Sequence, residues 1–272
     1  MLRKGSVFVK VKDIAQRIEK DFPLFFAMER DNVGLLVGDE NKDVNKVLVC
    51  CDVDEYVAKE AADAGVDMII SHHPLMFSPI QRLGEDNPEQ RALRILVKND
   101  ICLYTSHTNL DVGRGGINDY MAEMLGLENT QIIEYVCDWE GEKHGYGRFC
   151  TLSEEITLKD MLLKCKQMFN LDGCRYVGEL DDKIKTVAIN TGGGAGIMDM
   201  CFDLKADLFI TGDIKYNPAR DAYERGMDLI DIAHYDTEKI TMDFYVDFFA
   251  ENIPGVQIIK SKANKRIYKI YV

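Results

Sequence analysis

Short apolar runs alternate with amphipathic segments along most of the chain. The runs Val44–Val53, Met68–Ser71 and Ile101–Ser106 have the length and composition of buried strands. Apolar residues at helical spacing fill the segments Asp54–Ala64 and Pro88–Asn99, which lie between these runs. Strands that alternate with helices of this length predict α/β units with a largely parallel sheet.

The same alternation continues through the second half of the chain. Further predicted helices are Lys12–Phe22, Ile117–Leu125, Leu158–Phe169, Pro218–Arg225 and Thr237–Glu251, and further predicted strands are Phe149–Leu152, Val187–Asn190, Leu208–Thr211 and Leu229–Ala233, with edge strands in the tail Val256–Val272. The less regular stretch Gln131–Gly147 is interpreted as the crossing into a second domain. We therefore predict a first α/β domain over residues 1–130 plus 235–272 and a second over 131–234.

The two halves repeat each other weakly. A shift of 140 positions places Met68–Ser71 on Leu208–Thr211 without a gap. A shift of 127 positions places His107 on His234 and Asp111 on Glu238, so that each half carries His-x-x-x-acid after a strand. Chance similarity between two strand-helix-strand units is the alternative, but the repeated acid and histidine favour an internal duplication.

Histidines and carboxylates collect at the ends of the predicted strands. His72 and His73 follow an apolar run and precede Pro74, which cannot continue a strand. With His107, Asp111, His234 and Glu238, they form a ligand set that suits Zn, Mn, Fe, Co or Ni, and it is large enough for two ions bridged by a carboxylate. The alternatives are that the paired histidines only form a turn and that Glu238 only caps a helix.

Composition narrows the class of protein. The chain has 272 residues and a net charge of −13, which gives no electrostatic footprint for nucleic acid or an anionic membrane. Its eight cysteines form no C-x-x-C pair, no apolar segment follows Met1–Lys4, and no run approaches the roughly 18 apolar residues of a membrane helix. We expect a cytoplasmic protein with reduced thiols. The fifth histidine, His144, is predicted to lie on the surface.

Five motifs occur in a fixed order and carry a resemblance to a known family. They are Asp31-Asn32-Val33-Gly34-Leu35, Ser71-His72-His73-Pro74, His107-Thr108-Asn109-Leu110-Asp111, Thr211-Gly212-Asp213 and His234-Tyr235-Asp236-Thr237-Glu238. In these motifs the chain resembles the Nif-three-like family, the GTP cyclohydrolase 1 type 2 homologues. The resemblance implies two pseudo-symmetric α/β domains with mixed sheets and a dinuclear metal site in the cleft between them. It also implies a homo-oligomer, a hexameric ring built as a trimer of dimers.

The resemblance also assigns roles to residues. It implies that His72, His73, Asp111, His234 and Glu238 bind two divalent ions, with Asp111 or Glu238 as the bridging carboxylate, and that His107 is an extra ligand or an acid/base. The chain departs from the family pattern at Arg30, where a tryptophan is common, and at Ala233, where a glycine is usual. A histidine that commonly follows the Gly-Asp motif is missing from Ile214–Asn217. At 272 residues the chain has no room for the inserted middle domain of some members.

Three functions fit these residues. The first is a metal-dependent hydrolase acting on a nucleotide-like small molecule, in which His107 protonates the leaving nitrogen of an opened guanine ring. The second is a metal-binding or metal-delivery protein without catalysis of its own, and a ring stabilised by its metals is a third hypothesis. The glycine-rich stretch Thr191–Gly196 is either a substrate-facing loop that cradles phosphate or a tight turn.

Overall fold

The computed structural model describes residues 9–269. The strands are β1 (Val9–Lys10), β2 (Gly34–Val37), β3 (Asp43–Val44), β4 (Lys46–Cys50), β5 (Met68–Ser71), β6 (Cys102–Thr105), β7 (Gln131–Trp139), β8 (Glu142–Thr157), β9 (Arg175–Val177), β10 (Lys183–Gly193), β11 (Leu208–Gly212), β12 (Asp228–Asp231) and β13 (Gln257–Lys260). The helices are α1 (Val11–Asp21), α2 (Glu55–Asp63), α3 (Pro88–Lys98), α4 (Thr108–Val112), α5 (Ile117–Met124), α6 (Leu158–Met168), α7 (Met198–Asp203), α8 (Tyr216–Arg225), α9 (His234–Glu238) and α10 (Thr241–Asn252).

The chain forms two compact α/β units, as the strand and helix pattern predicts. Unit 1 comprises residues 9–110 and 241–265, and unit 2 comprises residues 111–240 and 266–269. The chain passes from one unit to the other at residues 110–111, 240–241 and 265–266, whereas we predicted domain boundaries at 130–131 and 234–235.

Unit 1 is built on a five-stranded sheet in the order β13-β4-β5-β6-β2. The three central strands are parallel, with Val47 opposite Met68 and Met68 opposite Cys102. β13 adds a parallel strand to β4, and β2 lies antiparallel to β6. One face packs against α2 and α3 through a core that includes Leu48, Ile69, Leu103, Val57, Ala61 and Leu96.

Unit 2 contains a six-stranded sheet in the order β7-β8-β10-β11-β12-β9. The strands β10, β11 and β12 are parallel, and β8 and β9 flank them in antiparallel orientation. Its core includes Ala188, Ile197, Cys201, Phe209, Ala222 and Leu229. The sheet is therefore mixed, with its parallel part in the middle, and the predicted fold class is confirmed.

The internal repeat is visible in equivalent hydrogen bonds. In unit 1 the Asp67 carboxylate accepts the backbone N–H groups of Asn45 and Lys46, and in unit 2 the Asp207 carboxylate accepts those of Lys185 and Thr186. Each of these three positions differs by 140 residues, as the sequence alignment predicted. Each carboxylate directly precedes the second parallel strand of its unit (β5 or β11) and binds the backbone of the first (β4 or β10).

The third parallel strand aligns differently from the sequence repeat. Met68 lies opposite Cys102 in unit 1, and its counterpart Leu208 lies opposite Asp228 in unit 2. The register therefore gives a shift of 126, whereas the histidines His107 and His234 are 127 apart. Unit 2 contains one extra residue between the end of β12 and His234.

Two predicted regions differ from the structure. Gln131–Gly147 is a regular antiparallel hairpin of β7 and β8 rather than an irregular connector, and Glu140 and Gly141 have the positive φ values of a two-residue hairpin turn. The predicted helix Thr237–Glu251 is divided between α9 and α10. The predicted edge strands of the tail are limited to β13 up to residue 269, and Ile270–Val272 lie outside the described residues.

Between residues 9 and 269, the eight cysteines form no disulfide bond. In the same part of the chain, every helix is too short or too polar to cross a bilayer.

Candidate metal centre

The paired histidines of unit 1 lie where the strand β5 ends. The backbone N–H groups of His72 and His73 still donate to the carbonyls of Cys50 and Cys51 on the neighbouring strand. The Ser71 hydroxyl donates to the His73 carbonyl at 2.8 Å, so the chain turns at this point. Pro74 follows and prevents further strand pairing. These bonds hold both imidazoles on one short segment.

The turn brings three imidazoles together. The ring centroids of His72, His73 and His107 are 5.1–5.2 Å from one another. A nitrogen from each ring lies within 4.8 Å of nitrogens from the other two. His72 is fully buried, and the other two rings are partly exposed. Because imidazole nitrogen is the commonest protein ligand of borderline divalent metals, this cluster is a candidate metal centre.

An oxygen atom faces the Nδ1 atom of each ring in this cluster. The partners are the Ser106 carbonyl for His72 at 3.1 Å, the Asp52 carboxylate for His73 at 2.8 Å and the Asp31 carboxylate for His107 at 2.9 Å. A neutral imidazole that donates from Nδ1 carries its lone pair on Nε2. This arrangement fixes the ring orientation and is the usual support for a metal-ligating histidine.

Asp31 is the most constrained of these partners. Its side chain is only 4% exposed and accepts from the Thr108 backbone N–H and hydroxyl as well as from His107. Burial opposes ionisation, but the hydrogen bonds from His107 and Thr108 outweigh it and lower the pKa of Asp31 to about 2. The first sequence motif therefore supplies an ionised carboxylate that orients His107.

Unit 2 places His234 and Glu238 one helical turn apart on α9. The Nε2 atom of His234 lies 3.0 Å from Oε2 of Glu238, and its Nδ1 atom lies 3.0 Å from Oδ2 of Asp213. The Glu238 side chain is only 4% exposed. The spacing of four residues puts both groups on one helix face, whereas the predicted helix began only at Thr237.

Close backbone approaches shape this second cluster. A Cβ atom on Gly212 would lie 2.6 Å from the His234 backbone nitrogen, and one on Gly192 would lie 2.3 Å from Oε1 of Glu238. Any other residue at these two positions would displace the helix start or the carboxylate. Asp111 lies on α4 of the same unit, where its carbonyl accepts from the Asn118 amide at 3.1 Å.

The residues present fit a divalent ion by their chemistry. Unit 1 gathers the predicted ligands His72 and His73 with His107, and unit 2 contains Asp111, His234 and Glu238. Imidazoles that are oriented by carboxylate or carbonyl oxygens, together with carboxylate ligands, suit Zn, Mn, Fe, Co or Ni.

Sequence reasoning missed the carboxylates that orient the rings. Asp52 lies two residues beyond β4, Asp213 lies one residue beyond β11, and Asp31 precedes β2. An acidic residue just past a strand that neighbours a histidine-bearing strand is the signal that could have identified Asp52. The prediction for His144 was wrong, because this residue is 5% exposed and its Nδ1 accepts the Arg114 backbone N–H in unit 2.

Comparison with known proteins finds relatives that are similar in sequence and in structure. The sequence profile of the Duf34/NIF3 family (NGG1p interacting factor 3) matches residues 9–266. A relative from Clostridium perfringens, named GTP cyclohydrolase 1 type 2 homolog, is 38% identical over 85% of this chain and 87% of its own. A relative of the same name from Lactococcus lactis is 36% identical over 93% of this chain and 96% of its own. A Bacillus cereus crystal structure described as related to NIF3 superposes with a TM-score of 0.90 at 26% identity, over 98% of this chain and all of the other.

Proposed function

Since the chain belongs to the Duf34/NIF3 family, we propose that it binds two divalent metal ions and hydrolyses a nucleotide-like small molecule. The proposed ligands are His72, His73, Asp111, His234 and Glu238. One observation carries the proposal: the three clustered histidines of unit 1 each present Nδ1 to an oxygen, and a nitrogen from each ring lies within 4.8 Å of nitrogens from the other two. Such uniform orientation is expected of metal ligands and is not needed for packing.

In this proposal, bound divalent ions supply a Lewis acid and a water molecule that ionises near neutral pH. His107 acts as the acid/base, because the Asp31 carboxylate fixes its Nδ1 proton and leaves Nε2 to exchange a proton with substrate. The same contact holds the His107 ring in a fixed orientation during that exchange.

The substrate class is proposed from two observations. The relatives are named GTP cyclohydrolase 1 type 2 homologs, which suggests a purine nucleotide for this chain. In unit 1, the Phe77 ring lies 6.0 Å from the His107 ring between centroids, and its side chain is 61% exposed. An exposed aromatic ring beside the histidine cluster offers a stacking surface for a planar heterocycle.

We further propose, from the family resemblance, that the chain works in the cytoplasm as a homohexameric ring. Light scattering of the purified protein tests the assembly. A mass near six times the 30.9 kDa chain is the expected result.

Elemental analysis of protein purified without chelator, followed by GTP turnover before and after metal removal, tests the main proposal. We expect close to two ions per chain and GTP conversion that stops on chelation and returns with metal. His73→Ala and Glu238→Gln should each lower the metal content, whereas Glu128→Gln changes only an exposed carboxylate of unit 2 and should not.

The alternative outcomes separate the functions. Two ions without GTP conversion would support metal delivery or another substrate. Full metal content in both ligand variants would show that the assigned ligand set is wrong. If the purified protein contains no metal and its unfolding temperature does not rise with added Zn, Mn or Fe, the proposal of metal binding would be refuted.

A further inference from the structure

A chain of hydrogen bonds in unit 2 links segments that carry the proposed ligands. The side-chain amide of Asn118 donates to the Asp111 carbonyl at 3.1 Å, and its oxygen accepts the Thr191 backbone N–H at 3.0 Å. The next backbone N–H, that of Gly192, donates to the Thr237 hydroxyl at 2.7 Å. That hydroxyl in turn donates to the His234 carbonyl at 2.7 Å. The end of β10 therefore connects α4, α5 and α9.

A side chain at Gly192 would clash with the Glu238 carboxylate. A Cβ atom at this position would lie 2.3 Å from Oε1 of Glu238 and 3.4 Å from the His234 ring, and the residue has a φ of +65°. Its carbonyl also accepts from the Thr211 hydroxyl at 3.2 Å. The backbone of Gly192 is thus fixed from both sides while its missing side chain leaves space for the carboxylate.

The same bonds bear on the phosphate hypothesis for the stretch Thr191–Gly196. The N–H groups of Thr191 and Gly192 already have acceptors inside the unit. A phosphate cradle needs such groups to point at the ligand. The first two residues of the stretch therefore serve the protein rather than a bound phosphate.

We propose that Asn118 and Gly192 are positioning residues that hold the Asp111 segment and the Glu238 carboxylate in place for a divalent ion. This inference rests on the proposed metal-binding function. Asn118 suits the role because it is fully buried and its amide offers both the donor for Asp111 and the acceptor for Thr191. Neither an aspartate nor a leucine offers both.

Gly192→Ala and Gly196→Ala form a matched pair for the test. Both lie in the same glycine-rich stretch, but a Cβ on Gly196 would meet nothing within 4 Å and its φ is not positive. Asn118→Asp keeps an acceptor for Thr191 and loses the donor to Asp111, whereas Asn118→Leu loses both. The affinity of each chelator-treated protein for Zn and for Mn is measured by competition with a chromophoric chelator, and the thermal unfolding of each metal-free protein is recorded beside it.

We expect Gly192→Ala and Asn118→Leu to lower the affinity for at least one of the two ions by about 10- to 100-fold. This is the range observed for residues that support metal ligands. Asn118→Asp should have a smaller effect, and Gly196→Ala should bind as the unsubstituted protein does. If one Asn118 variant does not fold, the other Asn118 variant and the pair Gly192→Ala and Gly196→Ala still give the answer.

Unchanged affinities in Gly192→Ala and both Asn118 variants, with two ions still bound by the unsubstituted protein, would overturn the inference. Lower unfolding temperatures without any loss of affinity would also overturn it, because they would indicate a purely structural role. An unsubstituted protein that binds no ion would instead refute the proposed function. The two failures are therefore distinguishable.

Discussion

Oδ1 of Asp31 lies 2.9 Å from Nδ1 of His107, although the two residues are 76 positions apart in the chain. The carboxylate reaches the ring from the loop before β2, and the ring follows β6, which pairs with β2. The antiparallel pairing of these strands therefore creates the contact. Two motifs that seem independent in the sequence form one unit of structure.

Asp31→Asn should change the state of His107 and weaken the fold. The amide can place an N–H against Nδ1, so the ring proton should move to Nε2, and the loss of charge weakens the bonds from Thr108. We expect the free energy of unfolding to fall by about 1–3 kcal/mol. Nitrogen NMR of the imidazoles and urea unfolding measure the two effects. Asp86→Asn, an exposed carboxylate of unit 1, is the control, and a His107 tautomer unchanged by Asp31→Asn would contradict the assigned contact.

Asp52→Asn should weaken metal binding without removing a ligand. Asp52 contacts Nδ1 of His73 at 2.8 Å, and a carboxylate in this position makes the imidazole a stronger donor to a metal. We expect an affinity for Zn that is about 10- to 100-fold lower. Chelator competition provides the measurement, and Asp63→Asn at the exposed end of α2 serves as the control. Equal affinities in the two variants would argue against an orienting role.

Ala233→Gly should stabilise the protein. Ala233 has φ and ψ values of 75° and 150°, a region that is almost exclusive to glycine, and it is the extra residue before His234. Relief of this strain outweighs the flexibility that glycine adds to the unfolded chain, so we expect a gain of about 1 kcal/mol. Thermal unfolding is the measurement. Ala195→Gly, at an exposed position without positive φ, should give a small loss instead, and a loss in both variants would mean that Ala233 is not strained.

Asp228→Asn should change the pH dependence of stability. Burial raises the pKa of Asp228 from 3.8 to about 7, and the neighbouring carboxyl groups of Asp182 and Asp207 add to the shift. Between these two pH values the folded state holds a proton that the unfolded state has lost. This carboxyl therefore makes stability fall as pH rises from 3.8 to about 7, with no further change above that.

The asparagine variant loses this titration, so its stability relative to the unsubstituted protein should rise between pH 4 and pH 8. Thermal unfolding of both proteins across this range gives the difference. Asp203→Asn, an exposed carboxylate of unit 2, should show a flat difference. A flat difference for Asp228→Asn as well would mean that its pKa is not raised.

Much of the fold could be predicted because local patterns determine it. The Asp54 side chain accepts the Val57 N–H at the start of α2, and α3 begins at Pro88 directly after its N-cap residue Asn87. Residues that favour a helix start therefore stand where both helices begin. The hairpin of β7 and β8 was missed because its turn is Glu140-Gly141, whose first residue is not a common hairpin-turn residue. The break between α9 and α10 was missed because apolar residues continue across it.

The site could be predicted in part. The histidines were identified because they directly follow apolar runs. Such runs predict strands, and the residues after them lie at the strand ends. The orienting residue Asp52 was not identified, because its role depends on the register of β4 against β5. The location of Asn118 at the end of β10 likewise depends on packing between elements distant in sequence.

The equivalent strand registers of the two units show which strand-end residues correspond to each other. Position 72 of one copy corresponds to position 212 of the other, and position 73 to position 213, so that a pair of imidazoles stands in one copy where Gly212-Asp213 stands in the other. In unit 2, Asp213 contacts Nδ1 of His234. In unit 1, Asp52 contacts Nδ1 of His73 in the same way. The two units thus carry different side chains at equivalent strand ends, and the parallel strands that present them have the same register.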